Sequence, residues 1–185
     1  MPPDPTPGSA ATRAALLAAA RACYAEAGYD AVGVREIAAR AGVNAALVNR
    51  YFGSKLGLFR AAVADSFTVG NLLVGERATL GERLARYAVG RRRGGVDPTL
   101  VVLRSSASPD AGPVLREALD AQVVQPLAAW LGGEGAAARA GLVVAVLFGV
   151  AVSRDVLGVA ALGAEHSEAL APPLGPFLQR LIDGG

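Results

Sequence analysis

Along nearly the whole chain apolar residues return every third or fourth position, and nowhere do apolar and polar residues alternate for long enough to make a half-buried strand. That period places a stripe on one side of a helix, and Ala, Leu, Arg and Glu, all favourable in helices, dominate the periodic segments. The chain is therefore predicted to be all-α. Gly94-Gly95, Pro109, Gly112-Pro113, Gly132-Gly133 and Pro172-Pro173 punctuate the pattern. The first helix is expected to start at Thr12 as N-cap and to close at Gly28, with Leu16, Ala19, Ala20, Cys23, Tyr24 and Ala27 on one face. Short helices follow over Val34–Arg40 and Ala45–Tyr51, then a longer one from Lys55 to about Phe67. Further helices are expected near 80–92, 98–107, 113–130, 136–157 and 167–182, about nine in all. Pro126 and Pro172-Pro173 should kink or delimit the helices they fall in. No internal repeat of fixed period occurs.

A chain of 185 residues can bury a sizeable core without disulfides or structural metal. Its single cysteine, Cys23, can neither close an internal bridge nor build a thiolate site, and reads as a small buried apolar residue of an intracellular protein. The mean hydropathy of +0.38 raises the question of a membrane span. The uncharged run Ala140–Ser153, however, is bounded by Arg139 and Arg154 and is too short to cross a bilayer. Residues 1–11 are rich in proline at their start and read as a disordered lead, with none of the basic character of a targeting signal. The expected compartment is the cytoplasm.

Charge is unevenly placed. Residues 1–60 carry seven basic and four acidic side chains, and the remainder eleven and twelve. A basic first third on a near-neutral apolar body fits a protein that offers one end to a polyanion.

The segment Val34 to Lys55, VREIAARAGVNAALVNRYFGSK, explains that end. Two short helices can cross steeply only with a small residue at the approach (Ala38), a glycine in the turn (Gly42) and apolar residues to lock the pair (Ile37, Val43, Val48). Asn44 is a good N-cap for the second helix. That helix is then free to present its outer face to a major groove, the place where side chains can read base edges. The competing reading is a solvated helical hairpin with ordinary charges. Lys55 argues against it: it is the only lysine, every other basic residue being arginine, and it sits in the first turn of a helix whose dipole opposes it unless an anion bridges the two.

Over Arg13 to Phe59 the chain resembles the TetR/AcrR family of transcriptional regulators, through AEAGYDAVGV at the end of the first helix, then REIAARAGV, then RYFGSKLGLF, in order and with the family's spacing. The resemblance implies a DNA-binding helix-turn-helix domain over residues 12–55 and an effector-binding and dimerisation domain over 56–185. It implies that Ala45, Ala46, Asn49 and Arg50 face the groove, that Asn44 and Arg35 reach a phosphate or a base, and that Tyr51 and Lys55 clamp the backbone. Asn can pair with adenine and Arg with guanine through two hydrogen bonds, while Ala can only touch a thymine methyl. The chain departs from the family at Asn49, where tyrosine is frequent, at Tyr51, where histidine is, and at Gly33, where Ser or Thr usually caps the second helix.

The family likeness also implies a homodimer, with the last two helices pairing across a two-fold axis. Leu142, Val146, Phe148, Val150 and Phe177 are the residues expected there. An apolar helix such as Ala140–Ser153 has to be buried on several sides. A dimer reads two half-sites, so the operator is expected to be a near-palindromic stretch of double-stranded DNA. Phe67, Tyr87, Leu103, Arg104, Trp130 and Phe148 are candidates for an effector pocket, although each taken singly reads as core. The effector implied is small and apolar, or apolar with one acidic group met by Arg104. The alternatives are a constitutive helical regulator without an effector, and a small all-α enzyme.

Nothing in the sequence supports catalysis, a cofactor or a metal. His166 has Glu165 and Glu168 nearby but no second His or Cys at ligand spacing, and reads as the surface start of a helix. No nucleophile motif, phosphate-cradling glycine loop or Walker pattern is present. Arg91, Arg92 and Arg93 read as a solvated helix end favoured by the dipole rather than a second DNA contact.

Overall fold

The computed structural model describes residues 7–64, 66, 67, 70–90 and 97–184. Its helices are α1 (Pro7–Ala31), α2 (Val34–Arg40), α3 (Ala46–Phe52), α4 (Lys55–Val63), α5 (Gly70–Leu73), α6 (Leu80–Val89), α7 (Pro98–Ser105), α8 (Ala111–Leu119), α9 (Gln125–Leu131), α10 (Ala136–Asp155) and α11 (Ser167–Asp183). No strand occurs among the described residues. With the single turn of α5 set aside and α8 and α9 counted as one rod, the number matches the sequence expectation. The arginine run 91–93 lies outside the described residues, as do the first six residues of the expected lead.

Two compact units emerge, and they do not follow the boundary at residue 55. The first takes the described residues of Met1–Ser66 and Val96–Glu117, the second those of Phe67–Gly95 and Ala118–Gly185. The first unit is built on α1. This helix begins at Pro7, not at Thr12, because proline needs no donor in a first turn and Thr12 Oγ1 donates back to the Gly8 carbonyl at 2.8 Å from inside the helix. Leu16, Ala20, Cys23 and Tyr24 of α1 form a buried core with Ile37, Val48, Leu58 and Phe59 of α2, α3 and α4. The rings of Tyr24, Tyr29 and Phe59 pack mutually, with centroids 5.0 to 5.9 Å apart. Burial pushes the Tyr24 phenol well above its usual range.

At Gly28 the backbone leaves the helical region for φ 80°, ψ 172°, ending the regular part of α1 where the sequence placed its stop. Helix α7 closes on this corner. Arg104 donates to the carbonyls of Ala25 and Glu26, Ser105 Oγ accepts from the Tyr29 N–H at 3.0 Å, and Ser108 Oγ donates to Asp30 at 2.8 Å. The closing carbonyls of α1, which lack partners within the helix, are thus satisfied by a segment some eighty residues later in the chain.

Helix α4 ends at Val63, short of the expected Phe67. In the second unit α6 and α11 cross closely through two glycines: a Cβ added at Gly81 would lie 2.5 Å from the Gly175 carbonyl oxygen. Leu80, Leu84, Leu127, Leu131, Val143, Leu178 and Ile182 form the core around that crossing. Gln179 accepts from the Gly81 N–H at 2.9 Å and donates to the Arg77 carbonyl at 3.1 Å. Pro126 does not break its rod. A π-turn over Asp120–Val124 precedes it, in which the Gln125 N–H reaches the Asp120 carbonyl, so the extra residue absorbs the proline. Pro172, Pro173 and Pro176 sit inside α11 on its exposed side, where carbonyls deprived of a donor face water; they do not delimit the helix as expected.

Arg77 is the tie of this unit. Its guanidinium donates to the Leu131 carbonyl at the end of α9 and to the Ile182 carbonyl near the end of α11, both at 2.6 Å. Charge-assisted bonds to helix ends are worth about 1.5–3 kcal/mol each when sheltered, and Arg77 is half exposed. Arg77→Ala is expected to lower stability by about 2 kcal/mol. Urea unfolding followed at Trp130, the only tryptophan and one whose ring lies 5.9 Å from the Arg77 guanidinium carbon, should show an earlier midpoint at unchanged slope.

Helix α10 departs most from expectation. Only Ala140, Val143 and Ala151 are buried within the protomer, and Leu142 is 53% exposed. The folded helix also incorporates Arg139 and Arg154, so at 20 residues and a mean hydropathy of 2.0 it is long and apolar enough to cross a membrane by length and composition. The helix is therefore longer than the uncharged run within it, and the shortness of that run does not limit it. Both arginines are turned to local partners: Arg139 to the carbonyls of Glu134 and Gly132, Arg154 to Asp155 and the Ala88 carbonyl.

Candidate nucleic-acid interface

Helices α2 and α3 are each seven residues long and joined by the turn 41–45. Gly42 takes φ 68°, a conformation that favours glycine, and the Val43 N–H reaches back to the Ala38 carbonyl at 3.0 Å. Ile37, Ala38 and Val48 are fully buried at the crossing, as their spacing required. The side chains between them point the other way. Arg35, Asn44, Ala46, Asn49 and Arg50 are exposed, and Ala45, Tyr51 and Lys55 half-buried. Among the described residues no side chain pairs with Arg35, Asn49 or Arg50.

Asn44 sits one residue ahead of the cap position expected of it, which Ala45 takes without a side-chain bond. Its Oδ1 accepts from the Ala46 N–H at 2.8 Å, and α3 begins at Ala46 rather than Ala45. That amide is consequently occupied, and the Asn44 side-chain NH2 remains a donor for a phosphate. Gly33 makes no side-chain cap for α2, as its residue type dictates. Ser54 caps α4 by accepting from the Gly57 N–H at 2.9 Å.

Lys55 is not loosely solvated, and among the described residues no carboxylate holds it. Its Nζ lies 4.2 Å from the centroid of the Tyr29 ring, a cation–π contact that fixes the ammonium while leaving its donors unclaimed. Tyr29 is itself pinned through its N–H to Ser105. The sequence reading missed this platform, since nothing in the spacing pairs residue 29 with residue 55. It also missed the clamp between α1 and α2, where Arg40 grips Glu26 through two hydrogen bonds of 2.6 and 2.7 Å. The Arg40 guanidinium holds the Glu26 carboxyl below its ordinary range.

The residues proposed for an effector pocket fall in both units. Leu103 and Arg104 belong to the first unit, and Phe67, Tyr87, Trp130 and Phe148 to the second. Arg104 is engaged with two carbonyls of α1, so its guanidinium is not a receptor for an acidic effector. Trp130 packs against the core of the second unit, Phe148 is half-buried and Tyr87 half-exposed. None of the six lines the open groove of about 690 Å³ between α6 and α11, whose walls include Ala78, Glu82, Arg86, Glu168, Pro172 and Gln179. Of the residues expected at a dimer contact, Leu142 and Phe177 are exposed, and Val146, Phe148 and Val150 half-buried. His166 precedes α11 at the surface, and no cluster of metal-ligating side chains occurs among the described residues.

Comparison with known proteins agrees with this geometry. Residues 16–62 match the family of bacterial regulatory proteins of the tetR type, and residues 78–182 match the tetracyclin repressor-like C-terminal domain. Among solved structures, a TetR-family regulator from Streptomyces coelicolor A3 is 31% identical, with a TM-score of 0.63, 96% of this chain and 97% of that one being covered. NalD, the secondary repressor of the MexAB-OprM multidrug efflux pump in Pseudomonas aeruginosa, shares the fold at 17% identity and a TM-score of 0.65, covering 88% of this chain and 94% of its own. No curated protein matches in sequence. The chain belongs to the TetR family and is a DNA-binding transcriptional regulator.

Proposed function

We propose that the protein is a cytoplasmic repressor that binds a near-palindromic operator as a homodimer and leaves it when a small apolar effector occupies the second unit. Helix α3 enters the major groove. Asn49 and Arg50 meet base edges, Ala45 and Ala46 lie against thymine methyls, and Arg35, Asn44, Tyr51 and Lys55 hold the backbone. The observation that carries this reading is the outer face of α3, where polar side chains stand exposed and unpaired beside a lysine fixed on an aromatic ring. The exposed Leu142 and half-buried Val146 and Val150 of α10, together with the exposed Phe177 of α11, support burial against a second copy. Effector and operator favour different spacings of the paired reading heads, so each weakens the other by the same factor.

Selection of bound sites from random duplex DNA tests the proposal directly. Enrichment of two inverted half-sites one helical turn or a multiple apart is the expected result. Failure to enrich any sequence would remove it, and an enriched operator that no apolar ligand displaces would leave a constitutive regulator.

A further inference from the structure

We propose that Arg13, in the second turn of α1, is an additional DNA contact that grips a backbone phosphate beside the C-terminal end of the recognition helix. The inference rests on the reading of α3 as the groove-entering helix. Arg13 opens the stretch that resembles the family but lies ahead of the residues that match the family model, which begin at Leu16, and the quoted motifs give it no role.

Three observations converge on it. Its guanidinium carbon sits 5.3 Å from the centroid of the Phe52 ring, the last residue of α3, which places a cation at the rim where Tyr51 and the Ser54 cap of α4 also lie. The residue is exposed, and among the described residues no carboxylate pairs with it; the sequence from Pro7 to Ala25 contains none. The other arginine of α1 behaves differently. Arg21 donates through Nε to the Ala62 carbonyl at 2.7 Å and closes α4, whereas among the described residues Arg13 meets only a ring face, which orients the planar fork and leaves its N–H groups available. A phosphate accepts such a fork through two parallel hydrogen bonds.

The test is a fluorescence-anisotropy titration of full-length protein with a labelled duplex, repeated over a range of NaCl, for wild type, Arg13→Gln, Arg13→Lys and Arg116→Gln, the last removing an exposed charge on α8 as a control. The salt slope for Arg13→Gln should fall by about 0.9 per protomer, with affinity lowered alike on operator and random sequence. Arg13→Lys should keep the slope, and Arg116→Gln should leave both slope and affinity as in wild type. If Arg13→Gln retains the wild-type slope while wild type binds DNA well, the proposed contact is wrong and the groove reading of α3 stands. If wild type itself binds no duplex, the reading of α3 fails and this contact fails with it. Since Arg13 is exposed, its variants should melt as wild type does; an Arg13→Gln protein with reduced helicity and a slope that Arg13→Lys loses equally would assign the residue to stability and overturn the proposal.

Discussion

Replacing Gly28 by alanine is expected to abolish DNA binding and to destabilise the first unit by at least about 3 kcal/mol. At φ 80° and ψ 172° the residue occupies a backbone region essentially reserved for glycine, and strain of this kind costs on the order of 1–3 kcal/mol by itself. A second penalty adds to it. The new Cβ would stand 2.4 Å from the Arg104 carbonyl oxygen, a backbone atom that cannot swing aside as a side-chain tip could. Relief requires α7 to withdraw from the corner, which would break the bonds of Arg104 to Ala25 and Glu26 and of Ser105 to Tyr29. Tyr29 would then no longer hold its ring under Lys55. Circular dichroism melting should show the loss, and anisotropy with an operator duplex should show no complex at concentrations where wild type saturates. A Gly28→Ala protein that melts and binds as wild type would mean that the corner is not set as described.

The second large effect separates two kinds of contact on one surface. Arg50→Ala should cost about 1–3 kcal/mol, roughly 5- to 150-fold in affinity, on the best operator, and far less on random DNA, so that preference at one position of each half-site relaxes. Lys55→Ala should weaken binding to every sequence alike and flatten the salt dependence by about 0.9 per protomer, since it removes a phosphate contact and no base contact. The Tyr29 ring sharpens this expectation. A lysine fixed 4.2 Å above an aromatic face has little choice of direction, and a phosphate is a ligand that a compact ammonium with free donors can meet without reading sequence. Measured over several duplexes and salt concentrations, the two variants should fall on opposite axes. If Lys55→Ala altered specificity while Arg50→Ala acted uniformly, the two assignments would have to be exchanged.

The all-α class, the crossing of α2 on α3 and the exposure of Asn49 and Arg50 were legible because each depends on residues close in sequence. Ile37, Ala38, Gly42 and Val48 declare a helix-turn-helix by spacing alone. The start of α1 was misplaced because Thr12 can bond backwards within a helix as readily as it can cap one. The platform beneath Lys55, the Glu26–Arg40 clamp and the closure of α1 by Arg104 were invisible for a different reason: they join positions brought near only by tertiary packing. Arg104 shows the consequence. Its charge and position invited a role toward an acidic ligand, but the unpaired carbonyls at the end of α1 had the prior claim. Helix α10 was misjudged through its flanks, because charges that bound an uncharged run in sequence can be drawn into the helix and hydrogen-bonded to neighbouring carbonyls.

The reading head is assembled from two stretches of chain that are far apart in sequence, since α7 belongs to it as fully as α1 does. Modular exchange should respect that pairing. A chimera that joins the first sixty-six residues to the body of another regulator would inherit a Gly28 corner shaped for this protein's Arg104, Ser105 and Ser108 and would confront it with foreign side chains. Grafts that carry residues 97–117 along with the amino-terminal portion should retain operator preference, and those that omit them should have to be rebuilt at the seam.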